Sequence, residues 1–345
     1  MDFLLPSGLK EQRKLLDSLN LQKIELSVVA EARAHITITG PVNSGKSTLF
    51  NQLKGQQLSV VSAVPGTTKD SLAEHFGPFL LVDTPGMDEV LGDARTQSAL
   101  QAIDRADVAI LVLDASAGVR QSDAVLYRDL RARGLPVIVV LNKIDLIKKD
   151  IKAVLQNAEL KLGVPMIPIS AKQGTNVAEK LIPALINAHP GMAVTIGRAL
   201  PKYRRRAAQR IVQEAAVLAS VVGIEPIPGL GIPLLIGVHI RLLMRLAAIY
   251  GEQFNVARAR ELLSAIAGGA LVRYGAQEAV KLIPAAGWVV SSIAAGTGTF
   301  ALGEAAAAFF EAGQQLSKQD LRSLYKRFRK EGRKGKAHPE LEFPD

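Results

Sequence analysis

The run GPVNSGKS at Gly40 to Ser47 combines two glycines, a lysine and a serine at spacings suited to binding phosphate. It follows an apolar stretch, AHITIT at Ala34 to Thr39, and precedes a helical pattern from Ser47 to Leu53. Backbone amides of the loop and of a helix N-terminus would then converge on phosphate oxygens. Gly40 and Gly45 let the backbone approach closely, Lys46 can reach β and γ phosphates, and Ser47 can ligate Mg²⁺. Ser44 and Thr48 complete the expected nucleotide-contacting set in this loop.

Two later runs extend that chemistry. Asp83 to Gly86 reads DTPG at the end of an apolar strand, where Asp83 can serve the metal through a water and Gly86 can offer its amide to a γ phosphate. Asn142 to Asp145 reads NKID after another apolar strand. A carboxylate there accepts the N1 and N2 hydrogens of guanine, a donor pair that adenine lacks. Ser170, Ala171 and Lys172 follow the last strand and can support the same base through a backbone amide. Asn142, Lys143, Asp145, Ser170, Ala171 and Lys172 are therefore the expected base-side residues.

The elements that must hold these loops alternate in the sequence. Residues 36–39, 79–83, 108–114, 136–142 and 166–170 read as strands, the fully apolar ones suiting a sheet buried on both faces. Residues 122–133, 150–162 and 176–188 read as crossover helices, and residues 71–76 as an edge strand turning back at Gly77-Pro78. The expectation is an α/β phosphate-loop domain with a mostly parallel sheet over residues 34–190. After His189-Pro190-Gly191 the pattern becomes all-α, with helices expected over 202–222, 234–250, 255–272, 276–283, 285–295, 301–316 and 318–330. The division reads as a helical extension at 1–33, the α/β domain at 34–190, a basic linker at 191–205, a helical domain at 206–316 and a basic helix and tail at 317–345.

In this order and spacing, GPVNSGKS, PGTTKD, DTPG, NKID and SAK resemble the GTPases of the translation-factor-related class, close to the Era, TrmE and Der group. The resemblance implies GTP and GDP as ligands, Mg²⁺ as cofactor, and hydrolysis of GTP to GDP and phosphate. It implies that Thr68, rather than Thr67, completes the Mg²⁺ shell when GTP is bound, so that Ser47, Thr68 and Asp83 form the metal set. Lys46, Thr68 and Gly86 are then the catalytic candidates. Asn43 matches the asparagine that helps bind K⁺ in potassium-activated members. Met87 follows DTPG and cannot orient water as glutamine does, so turnover is expected to be slow without K⁺, self-association or a partner. Asp88, Glu89 and Asp93 are the nearby carboxylates.

Residues from about 205 to 315 are similar to the DUF697 helical domain, through ASVVGIEPIPGLGIPLL, RLAAIYG and the glycine-rich segment ending at Gly303. That similarity implies a membrane-facing or effector role. Leu282 to Gly303 is a run of 22 residues without a charge, long enough to cross about 30 Å as helix, yet its glycines, serines and threonines equally suit a tightly packed bundle. Residues 226–240 form a second charge-free run of 15.

Charge narrows the partners. Of the formal net charge of +10, residues 191–345 account for nearly all, with 21 Lys and Arg against 12 Asp and Glu. Clusters at Arg198 to Arg210 and at Lys318 to Lys336 suit anionic lipid or RNA phosphate. Aromatics make up 5 % of the chain, and no zinc knuckle is evident, so an RNA-stacking surface has little to build on. The chain has no cysteine, which excludes disulfides, thiolate zinc sites and cysteine nucleophiles. MDFLLPSGLKEQ reads as neither secretory signal nor anchor. The expected setting is cytoplasmic, at or in the inner face of a membrane, with a protein effector or self-association as alternatives. A binding switch with negligible hydrolysis and a ribosome or RNA assembly role remain open alternatives.

Overall fold

Strand β4 (Val108–Asp114), VAILVLD, is buried along almost its whole length because helices cover both faces of the sheet that it centres. The computed structural model describes residues 21–55, 73–82, 103–148, 150–224, 231–277 and 286–332. Around β4 lie β1 (Ile36–Thr39), β2 (Ala73–Phe76), β3 (Phe79–Val82), β5 (Val137–Asn142) and β6 (Ile167–Pro168). Their order is β2-β3-β1-β4-β5-β6. Five strands run parallel and β2 pairs antiparallel with β3, turning at Gly77 with φ 55°. In register, Thr39 faces Leu111 and Asp114 faces Asn142, so β1, β4, β5 and β6 deliver their following loops to one edge. That edge is where open α/β sheets take ligands, because the crossover changes direction beside β1.

Five helices of this unit bear on the argument. In chain order they follow α1 (Leu21–Glu31): α2 (Lys46–Lys54), α3 (Gln121–Ala132), α4 (Ile151–Leu162), α5 (Ile182–Ala188) and α6 (Pro190–Ala199). A π turn over Val177–Leu181 precedes α5, so the expected helix at 176–188 is realised in two parts. Residues 190–199, expected within a basic linker, form a buried helix. Its start is capped by His189, whose Nδ1 accepts the Gly191 N–H at 3.2 Å, and Thr195 donates to the Glu31 carbonyl at 2.6 Å.

By compactness the chain divides into residues 31–204 and a second unit made of residues 1–30 with 205–345. The second unit is helical: α7 (Arg204–Ile224), α8 (Gly231–Ile249), α9 (Val256–Gln277), α10 (Ala286–Glu311) and α11 (Lys318–Gly332). Two expected helices, 285–295 and 301–316, are one continuous helix, α10. Its glycines do not break it because they sit at close helix crossings, where the packing offsets about 0.5–1 kcal/mol lost per glycine. A Cβ on Gly303 would fall 2.6 Å from Val212 Cγ2, and one on Gly223 of α7 would fall 2.7 Å from Ser292 Cα. These contacts run α7 antiparallel to α10. The expected helix at 276–283 falls largely on residues outside those described.

Along α7, α8 and α10, the Lys, Arg and Glu side chains keep to one half of each helix. Arg205 meets Glu304 at 2.5 Å, Arg245 meets Glu214 at 3.0 Å, and Arg210 meets Glu214 at 3.0 Å. Tyr250 stacks on Phe310 and donates to Glu311 at 2.9 Å. Glu304 and Arg245 are buried, and each is compensated by its partner.

Candidate nucleotide-binding site

The loop after β1 is shaped by close backbone approach. At Gly40, φ is 145° and a Cβ would lie 2.3 Å from the Val112 carbonyl oxygen of the neighbouring strand, so no larger residue fits. The chain then turns through Asn43 at φ 64° and Gly45 at φ 93°. Gly45 is the N-cap of α2, which has no side-chain cap and no acidic residue in its first turn. The orphan amides and positive dipole end of α2 therefore face the loop uncompensated by a nearby carboxylate. Lys46 is buried and folds back across the loop, donating to the carbonyls of Gly40 at 2.9 Å and Pro41 at 3.0 Å. Ser44 Oγ is buried with no hydrogen-bond partner among the described residues. Asn43, Ser47 and Thr48 carry exposed side chains. Narrow loop, helix dipole and lysine together suit a phosphate chain.

Asn142, at the end of β5, ties that loop to the base side. Its Nδ2 donates to the Ser44 carbonyl at 2.9 Å, and its Oδ1 accepts the Ala171 amide at 2.9 Å. Its buried amide holds the two loops in register. Asp145 Oδ1 accepts from Ser170 Oγ at 2.6 Å, which fixes the carboxylate beside the loop after β6. Ser170 is itself held, its Oγ accepting the Gln173 amide at 3.2 Å and its backbone bridging to Thr175. Lys172 is exposed.

The reading of the sequence missed Asp114. Its Oδ2 accepts from Lys143 Nζ at 2.7 Å, while Lys143 sits at φ 65°. Burial pushes the Asp114 carboxyl upward, but hydrogen bonds from Lys143 and Ser116 outweigh it and hold the group below its ordinary value. The available signal was the sheet register, since Asp114 lies opposite Asn142 in a parallel pair.

The site therefore brings together Gly40, Asn43, Ser44, Gly45, Lys46, Ser47, Thr48, Asn142, Lys143, Asp145, Ser170, Ala171 and Lys172 on the loops at one sheet edge. Thr68, Asp83, Gly86, Met87, Asp88, Glu89 and Asp93 lie outside the described residues. Of the expected Mg²⁺ donors, Ser47 is described, and its side chain is exposed at the start of α2.

Residues 35–143 match the family model described as 50S ribosome-binding GTPase, and residues 192–333 match the model for the domain of unknown function DUF697. GTPase Era of Halothermothrix orenii is 36 % identical over 150 residues, covering 41 % of this chain and 51 % of that protein. GTPase Der of Clostridium botulinum is 34 % identical over 174 residues, covering 46 % of this chain and 40 % of that protein. The chain thus spans about half or less of these curated relatives. A crystal structure of Aquifex aeolicus Era bound to GDP and aluminium fluoride is 27 % identical, with a TM-score of 0.36, over 54 % of this chain and 67 % of that one. The chain joins an Era/Der-like GTPase domain to a C-terminal DUF697 domain.

Proposed function

We propose that the chain binds GTP and GDP in the loops after β1, β5 and β6, hydrolyses GTP to GDP and phosphate, and passes the nucleotide state to the helical region, which acts at a membrane surface. The observation that carries the guanine reading is the Asn142 amide bridging Ser44 to Ala171 while Ser170 fixes Asp145. These bonds support the reading, since guanine recognition needs a carboxylate held steady relative to the phosphate loop. Lys46 would neutralise phosphate charge, and Ser47 with Thr68 and Asp83 would hold Mg²⁺, which supplies electrostatic stabilisation of the transferring phosphoryl group. Thr68 and Gly86 would report loss of the γ phosphate, and Asn43 would help hold K⁺.

Competition of GTP, ATP and XTP for the protein tests this reading. Wild type should prefer GTP, and Asp145→Asn should weaken GTP by roughly a hundredfold while improving XTP. An amide cannot accept both guanine hydrogens, but it can donate to the 2-oxo group of xanthine. Equal affinity for GTP and ATP would sink the proposal. Membrane flotation run beside ribosome co-sedimentation separates the membrane reading from an RNA-assembly role.

A further inference from the structure

Three stretches of the helical unit, residues 201–224, 231–249 and 290–311, have the length and composition to cross a bilayer. The placement of charge along them argues against crossing. Arg205, Glu214, Arg245 and Glu304 lie within those stretches, paired at 2.5 and 3.0 Å at one end of the bundle. In the sequence, Glu225 directly follows α7. Between Glu214 and Glu225 the ten charge-free residues of α7 rise about 15 Å, half of the roughly 30 Å hydrocarbon core. To cross along its length, α7 would have to draw the Glu214–Arg245 pair into the core.

Yet this short zone exposes apolar side chains. Among the described residues of 205–332, the large hydrophobic side chains left exposed are Val217, Leu218, Val221, Ile224, Val290 and Ile293, at 45 to 66 %. Val217, Val221 and Ile224 form one stripe of α7, and Val290 with Ile293 one stripe of α10. Gly223 lies against Ser292 and Gly296 against Ser220, so the two helices touch at backbone distance here and the stripes flank a single seam. At one border of this face, Gly332 of α11 packs against Phe300 and Thr297, one turn beyond Ile293. That contact brings the cationic last turns of α11, with exposed Lys326 and Lys330, alongside the apolar zone.

We propose that the α7–α10 face seats in one leaflet of an anionic membrane, lying along the boundary between headgroups and acyl chains, with no helix crossing the bilayer. The apolar stripes enter to about 5–10 Å, and the α11 lysines meet headgroup phosphates. The ion-paired end of α7, α8 and α10 then remains outside the acyl region. A second copy of the chain is the less suited occupant, because twofold pairing would set the same basic border against itself. The proposal specifies the membrane contact of the function proposed above and is independent of nucleotide chemistry.

Flotation of the full chain with vesicles of equal parts phosphatidylcholine and phosphatidylglycerol, at high salt, tests it. Val221→Glu and Val290→Glu should each lower the bound fraction by at least about tenfold, with unchanged thermal melting and GTP affinity because both positions are exposed. Lys326→Glu/Lys330→Glu should weaken binding to these vesicles at low salt. Flotation unaffected by the valine variants overturns the proposal, and if the lysine pair alone releases the protein, a membrane contact stands without this face. A dimer that Val221→Glu converts to monomer, with flotation unchanged, assigns the face to self-association and also overturns it. The chain has no cysteine, so Ile224→Cys reports topology: labelling by an impermeant maleimide in solution and its protection on vesicle binding are expected, whereas labelling from the lumen would mean a crossing helix. If wild type does not float, this seat and the membrane reading fall together, while GTP binding is judged by its own competition assay.

Discussion

At the scale of single residues, Asn142 ties the loop after β1 to the loop after β6. Replacing it with alanine removes the donor to Ser44 and leaves the Ala171 amide unpaired beside a cavity. Loss of a buried partner costs about 1–3 kcal/mol, so Asn142→Ala should lower the unfolding free energy of the α/β unit by that amount. GTP affinity should fall as well, since two loops lose their register; denaturant melts with and without GTP check both. Unchanged stability would show that the bridge is replaced by other contacts. The NKID motif made a carboxylate and an asparagine legible in the sequence, but four letters do not say which side chain faces ligand and which faces protein. That division depends on the 98 residues separating Asn142 from Ser44 being closed by adjacent strands.

At the scale of elements, α7 and α10 are held by the smallness of their crossing residues. Gly223→Ala would push a Cβ to 2.7 Å from Ser292 Cα and 2.9 Å from the Ser291 carbonyl, both backbone atoms of a regular helix. Separating the helices should cost about 1–3 kcal/mol, more than the gain in helix propensity returns. The measurement is a lower melting temperature for the helical unit with GTP affinity intact. On the neighbouring helix, His239 contacts Thr299 at 2.8 Å through Nε2, while Nδ1 is buried with no hydrogen-bond partner among the described residues. Burial pushes its pKa down to about 4, from an ordinary 6.5. Because the unfolded chain binds this proton first, stability should fall as pH drops below about 6.5, with the loss complete near 4 and amounting to roughly 3 kcal/mol. His239→Leu should remove that part of the pH dependence, as Thr299 can bond within its own helix. Melts at pH 7 and pH 4.5 that shift equally in both proteins would refute the assignment.

At the scale of the whole molecule, the α/β unit and the helical unit carry different chemistry, and the first is the one whose rate should depend on ions. With Asn43 exposed in the phosphate loop and Met87 after DTPG, GTP turnover should be higher in KCl than in NaCl at equal ionic strength, by tenfold or more, since a cation near the phosphoryl group offsets about 1.4 kcal/mol per decade. Equal rates in the two salts, with turnover rising as protein concentration rises, would instead assign activation to self-association. The helical unit should leave this ratio unchanged when its exposed valines are substituted.

The residue order in GPVNSGKS, NKID and SAK determined the nucleotide chemistry, because phosphate and guanine recognition rest on short stretches whose geometry is largely local once a strand precedes them. The parallel sheet was legible too, in strands such as VAILVLD that are apolar throughout. Tertiary structure alone decided the partner of Lys143, the job of Asn142 and the continuity of α10. Each depends on which distant segments pack together, and glycine in a sequence is equally a break or a place for another helix to touch. The charge-free run from Leu282 to Gly303 shows the same limit: its length suits a bilayer, but only the ion pairs and the exposed valines around it, fixed by how α7, α8 and α10 pack, distinguish a helix that crosses from a face that rests on one leaflet.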